Sequence, residues 1–414
     1  MRVKAVIVKS VILTVLVLFI LTCISNSMGN LDLRALEKTM SKQIHDERLN
    51  SPEEHFKNTL DFKEQGSTPQ QRLESNIARE TKPRGIFHLK VYKAGSTTLQ
   101  VMFNQYADKY DQIVGRPCSN SGVERHLVGW PEPFKPEHLI PLSKNTYLEH
   151  LNEHIKYSSK IKQVMAPGSV FVTSIREPVS HFYSCYNFYY MKNTYERYLK
   201  GPNKFKYFLN NVKTMPHLGL KNHIPSSNVI AQCFGIKQEE QYNIIAIQEK
   251  INEIEKEFDL VIVVEYLEES LILLTECSDL TIEDVVILRN ANVRNVQKFK
   301  PTLTPNEYEN LIQWNLADSM IYNHFNKTLW RKIDEFGRHN MALKIQELNI
   351  AKSLKQKECH SESSDLKIKH YCMLSKLGHE AADTYFRKKM TERGIYDIQK
   401  AQTSCKYPPG KQGE

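Results

Sequence analysis

The chain has 414 residues, of which 41% are hydrophobic, 25% charged and 10% aromatic. This composition excludes wholesale disorder, a collagen-like repeat and a polytopic membrane protein. Its 56 Lys and Arg against 47 Asp and Glu give a net charge of +9, an excess that suits an anionic ligand or an acidic surface as readily as nucleic acid.

At the N-terminus, Ala5–Ile24 is apolar apart from Lys9, Ser10, Thr14 and Thr22, and Arg2 and Lys4 precede it. About 20 helical residues cover roughly 30 Å, the thickness of a bilayer core. The basic flank predicts a cytosolic tail over 1–9, a signal-anchor helix over 10–27 (apolar from about residue 5) and a luminal remainder. A cleaved signal peptide with small residues at Ser25 and Ser27 is the alternative. Both readings send the body of the chain into the secretory pathway.

Residues 28–82 read as a polar stem. A helical stripe of Leu33, Leu36, Met40 and Ile44 gives way to Pro52, Gly66, Ser67 and Pro69, the composition of a spacer. The stripe covers too few heptads to specify a coiled coil, so a homodimer stays open.

From residue 83 a βα pattern begins. Gly85–Tyr92 reads as a strand and Thr97–Tyr110 as a helix carrying Met102, Phe103, Tyr106 and Tyr110. Ser169–Ile175 is a second strand, followed by a helix over Val179–Tyr190. Gln238–Phe258 reads as helix, Asp259–Glu265 as a third strand and Leu267–Glu276 as helix. Continuous β-branched runs alternating with helices predict an α/β fold, a parallel sheet covered on both faces. We expect one catalytic domain over 83–340 and a charged helical extension over 341–414 that packs on it.

Cys118, Cys185, Cys233, Cys277, Cys359, Cys372 and Cys405 follow the membrane segment, and none forms a C-x-x-C pair. Zinc therefore has no support, while an oxidising lumen allows disulfides, with at least one cysteine left over. Cys359 and Cys372 are the preferred local bridge. Asn326-Lys327-Thr328 is a glycosylation sequon, which, if used, places that stretch on a luminal surface.

Two segments carry chemistry. Lys93-Ala94-Gly95-Ser96-Thr97-Thr98 lies between the first strand and its helix. There the helix dipole and unpaired amides converge on an anion, Gly95 permits close approach, and Lys93 adds a mobile charge. The loop lacks the G-x-x-x-x-G-K-[ST] order of a Walker A motif; a capped βα turn is its bland reading. Arg176-Glu177-Pro178 ends the second strand, where open α/β sheets bind ligands, and Ser184 follows Arg176 by eight residues. Its guanidinium suits a phosphate bidentately; a surface ion pair with Glu177 is the bland reading there.

Two phosphate sites on one sheet suit a nucleotide phosphorylated at both ends. The arrangement resembles the sulfotransferases that use 3′-phosphoadenosine 5′-phosphosulfate. The segments YKAGSTTLQ, GWPEPF, EHIKY, SIREPVSHFYSCYNFYY, FDLVIVVEYLEESLILL and WNLADSMIYNHFNKTLWRKIDEFG look most like the Golgi galactose 3-O-sulfotransferase family. The resemblance implies a P-loop-like sulfotransferase fold on a Golgi membrane anchor. Lys93 to Thr98 would bind the 5′-phosphosulfate, and Arg176 with Ser184 the 3′-phosphate. The acceptor would be the 3-OH of a β-galactoside on a glycolipid or glycoprotein. The chain departs from the family pattern at Tyr92, at Ala94 and along Glu153–Tyr157.

In that reading Lys93 stabilises the leaving group and His154 is the candidate base, since an imidazole titrates near operating pH. Glu153, Glu124 and His126 are alternative bases, and Trp130 is a candidate sugar platform. Neither a metal nor nucleic acid is expected. Two competing readings are a luminal glycosyltransferase, for which the chain has no D-x-D metal motif, and a catalytically impaired carbohydrate-binding member of the same family.

Overall fold

The computed structural model describes residues 82–119, 127–143, 146–189, 191–219, 224–288, 302–361 and 364–405. Along the first half run β1 (Ile86–Leu89), α1 (Ser96–Lys109), β2 (Leu127–Pro133), β3 (His150–Lys156), β4 (Val170–Ile175) and α2 (Pro178–Phe188). Short helices α3 (Met191–Thr194), α4 (Lys204–Asn210) and α5 (Val229–Cys233) lead to α6 (Ile244–Glu257), β5 (Leu260–Val263) and α7 (Leu267–Cys277). Then come α8 (Pro305–Trp314), α9 (Leu316–Phe336), α10 (Arg338–His360), α11 (Leu366–Leu374), α12 (His379–Glu392) and α13 (Ile398–Ser404).

The strands pair in the order β2-β3-β1-β4-β5, every pair parallel. After β1 the chain moves to β2 and β3 on one side, then crosses to β4 and β5 on the other. The carboxyl ends of β1 and β4 therefore border the point where the winding reverses, the position at which such sheets form a ligand crevice. β1, β4 and β5 are the apolar runs the pattern predicts, and their residues are all buried.

β2 and β3 were not expected. β3 reads His150-Leu-Asn-Glu-His-Ile-Lys156, too polar for a buried strand, yet His150, Asn152 and Glu153 are fully buried. Specific partners make this tolerable for two of the three: Asn152 bonds His88 Nδ1 at 2.7 Å and the Gln100 carbonyl at 3.3 Å, while Glu153 pairs with buried Arg116. The ring nitrogens of His150 are buried without a partner, and burial holds its ring well below its ordinary titration range.

Helix limits follow the caps. Asn243 Oδ1 accepts from the amides of Ile245 and Ala246, so α6 starts later than its apolar run, after a single 3-10 turn over Gln238–Glu240. Glu177 caps the amides of Val179 and Ser180, with Pro178 in the first turn.

The C-terminal helices belong to the same compact unit, Thr81–Glu414. The expected boundary at 340/341 falls inside α10. Phe386, Met390, Tyr396 and Ala401 pack with Ala107, Val114 and Ile140, burial worth roughly 1.5–3 kcal/mol for each large side chain. A Cys118–Cys405 disulfide ties the chain end to this cluster. The expected Cys359–Cys372 bridge is formed, and Cys185, Cys233 and Cys277 are free.

Among the described residues no helix is long and apolar enough to cross a membrane; the predicted anchor and stem lie outside them. Asn326, the sequon asparagine, sits within α9 and is half-buried, with Oδ1 buried and without a partner.

Candidate functional site

The loop from Lys90 to Gly95 runs from the carboxyl end of β1 into α1. Lys93 (φ 58°) and Gly95 (φ 72°) adopt left-handed backbone. A Cβ at Gly95 would also stand 3.2 Å from Val264 Cγ2, so both conformation and space favour glycine. α1 begins at once, with the amides of Thr98 and Leu99 bonded to the Gly95 carbonyl at 3.0 and 3.2 Å. No side chain caps the α1 N-terminus.

Side chains from three other elements grip the carbonyls of this stretch. The Thr173 hydroxyl donates to Leu89 O (3.0 Å), His154 Nδ1 to Lys90 O (3.0 Å) and His181 Nε2 to Tyr92 O (2.7 Å). Arg176 Nη1 reaches Lys93 O at 3.4 Å, and the Ser174 hydroxyl donates to Ala94 O at 2.8 Å. These bonds fix the loop at the N-terminus of α1, where the helix dipole and backbone amides favour an anion.

The Arg176 contact brings the two sequence-predicted segments together. Glu177 caps α2 and donates its own amide to Glu265 Oε1 at 3.0 Å. Ser184 lies on α2, half-buried. Lys93 Nζ sits 3.6 Å from the ring centroid of Phe188, an exposed residue; such a contact is worth about 0.5–1 kcal/mol.

His154 stacks face to face on Tyr92, ring centroids 4.0 Å apart and planes 8° from parallel. Its Nδ1–H donates to a backbone carbonyl, so the ring lone pair is on Nε2, the tautomer a general base needs. Trp130 meets Tyr92 edge-on at 5.3 Å, which brings the candidate sugar platform beside His154. Glu153 is not brought to this group. It is fully buried against Arg116, and burial raises its carboxyl above the usual range. Glu124 and His126 lie outside the described residues.

Sequence reasoning missed the supports of the loop. His181 is buried and pushed down to about 4, chiefly by burial, so it is neutral and holds Tyr92 O through Nε2–H. Asp318 stands 3.7 Å from its Nδ1 and accepts the amides of Ile230 and Ala231 at the start of α5; burial raises Asp318 to about 7. Lys90 is buried and lowered to about 8, mainly by burial. It donates to Gln100 Oε1 at 3.0 Å. His379, from α12, contacts both Lys90 Nζ (3.1 Å) and Thr97 Oγ1 (3.0 Å). No sequence signal links residues so far apart. Among the described residues no cluster of three or more His, Cys, Asp or Glu is arranged to hold a metal.

Residues 30–373 match the family model described as galactose-3-O-sulfotransferase. The chain is 26% identical over 282 residues to galactosylceramide sulfotransferase of Bos taurus, covering 67% of this chain and 64% of that protein. It is 25% identical to galactose-3-O-sulfotransferase 3 of Mus musculus, over 70% of this chain and 67% of the relative. Against galactose-3-O-sulfotransferase 2 of Homo sapiens it is 26% identical, over 68% and 69%. The aligned stretch thus spans just under two thirds of the bovine relative's length. The family match runs through both loops of the crevice, and the chain belongs to the galactose-3-O-sulfotransferase family.

Proposed function

We propose that this chain transfers a sulfuryl group from 3′-phosphoadenosine 5′-phosphosulfate to a sugar hydroxyl, the 3-OH of a β-galactoside on a glycolipid or glycoprotein. The observation that carries the reading is the Arg176 guanidinium against the Lys93 carbonyl. It joins two basic loops at the reversal point of a parallel sheet, as a nucleotide with two phosphate groups requires. Family membership and the relatives' names support a galactose acceptor.

The residues fit the donor's charge. Amides of Gly95, Ser96 and Thr97, the hydroxyls of Ser96, Thr97 and Thr98, and Lys93 would hold the 5′-phosphosulfate, and Arg176 with Ser184 the 3′-phosphate. His154 Nε2 takes the proton of the attacking hydroxyl while the new O–S bond forms and the bond from sulfur to the 5′-phosphate oxygen breaks. Lys93 and the α1 N-terminus stabilise the charge left on that oxygen. Tyr92 supports the base from below, and Trp130 offers a face to the sugar.

The same reading assigns the domain to the Golgi lumen on a type II signal-anchor. The apolar run Ala5–Ile24 and the two disulfides support that compartment. Profiling with a panel of galactose-terminated glycans, labelled donor and linkage analysis tests the function. Sulfate on galactose O3 supports it, and no transfer with bound donor product would favour an impaired carbohydrate-binding member.

A further inference from the structure

His379 is the first residue of α12 and lies beyond residues 30–373 of the family match. Its half-buried ring bridges two groups at the root of the phosphate loop, Lys90 Nζ at 3.1 Å from Nδ1 and Thr97 Oγ1 at 3.0 Å from Nε2. Lys90 is completely buried, and its ammonium also donates to Gln100 Oε1, with the Glu153 carboxylate and the Arg116 guanidinium acting on it electrostatically. An ammonium only donates, so Nδ1 of His379 accepts and the ring proton is on Nε2. Nε2–H then donates to Thr97 Oγ1. A hydroxyl that accepts in this way keeps its own hydrogen for a further partner. Thr97 is in the first turn of α1, whose N-terminus no side chain caps.

We propose that His379 is a positioning residue of the donor-nucleotide site, occupying one lone pair of Thr97 so that the Thr97 hydroxyl hydrogen is presented to a phosphosulfate oxygen. The inference rests on the donor assignment above and adds a residue of the C-terminal helices to it. Lys90 fixes the tautomer from beneath: burial brings it down to about 8, which leaves it charged at neutral pH. The C-terminal helices thereby take part in donor binding through one imidazole, with the ring reading a buried lysine on one side and setting a ligand-facing hydroxyl on the other.

Asparagine and glutamine separate the two halves of this bridge. His379→Asn places its amide near Nδ1, keeping the Lys90 acceptor and losing the Thr97 donor; His379→Gln reaches the Nε2 position and keeps the donor. The full chain in detergent is titrated calorimetrically with 3′-phosphoadenosine 5′-phosphate, alongside melting temperature and the KM and kcat for the sulfated donor. His379→Gln should bind within about threefold of wild type, while His379→Asn and Thr97→Val should each weaken binding about tenfold, one hydrogen bond's worth, with unchanged melting temperature and a matching rise in KM. The double variant Thr97→Val/His379→Asn should lose no more than either alone. Wild-type binding in His379→Asn with loss in His379→Gln would overturn the inference, because the ring would then serve Lys90 alone; so would additive losses in the double variant. Failure of the wild type itself to bind the nucleotide would overturn the donor assignment, and the inference with it.

Discussion

The ring of His154 lies 4.0 Å from that of Tyr92, with the two planes 8° from parallel. Tyr92 is thus the platform of the candidate base, and its own hydroxyl is buried without a partner. Tyr92→Phe keeps the platform and removes an unsatisfied polar group, so activity should stay within about twofold and stability should hold or rise slightly. Tyr92→Ala removes the stack, and kcat should fall by roughly tenfold or more as the imidazole loses its orientation. Steady-state kinetics on both variants checks this; equal losses would mean that the hydroxyl matters and the stack does not.

His154→Ala should reduce kcat by about 10²–10⁴-fold while binding of 3′-phosphoadenosine 5′-phosphate, read by thermal shift, is retained. Unchanged turnover would move the base to another residue.

The Arg116–Glu153 pair is completely buried. Removing either charge takes away the other's direct partner and leaves only the longer contacts, Asp383 at 4.0 Å from Arg116 Nε and Lys90 beside Glu153, so Arg116→Ala or Glu153→Ala should each destabilise by about 3 kcal/mol. Urea denaturation measures it, and the double variant should cost less than the sum. Two single variants with wild-type midpoints would contradict a structural role for the pair.

How much of this was legible beforehand depended on whether a contact was local. β1, β4 and β5 announced themselves because their residues are uniformly apolar, and the Lys93 loop because strand, glycine, hydroxyls and helix follow one another directly. β3 was hidden by His150, Asn152 and Glu153; Arg116, His88 and Gln100 satisfy the last two, a pairing that hydropathy cannot see. His379 meets Thr97 across a separation of 282 residues, and only the fold of the C-terminal helices creates that contact.

Stability should fall as pH drops below about 6.5. Burial lowers His88 from 6.5 to about 3 and His181 to about 4. Between those values and 6.5 the unfolded chain binds protons that the folded chain refuses, so acid favours unfolding. Asp318, raised from 3.8 to about 7 by burial, binds its proton more tightly when folded and acts in the opposite sense, offsetting His181. His150, also completely buried and held well below 6.5 by burial, acts in the same sense as His88, so these two set the net slope, His88 alone supplying about 2 kcal/mol between pH 6.5 and pH 5. Urea midpoints at the two pH values check this, and His88→Gln should reduce the difference, leaving the part that belongs to His150; an unchanged slope in that variant would assign the effect elsewhere.

Transfer of labelled sulfate by Lys93→Ala and Arg176→Ala, each compared with the wild type at equal melting temperature, tests most directly whether the two loops form one donor site. Both variants should lose at least about 10²-fold in transfer, and Arg176→Ala should also lose affinity for 3′-phosphoadenosine 5′-phosphate. Wild-type transfer in either variant would contradict the assignment.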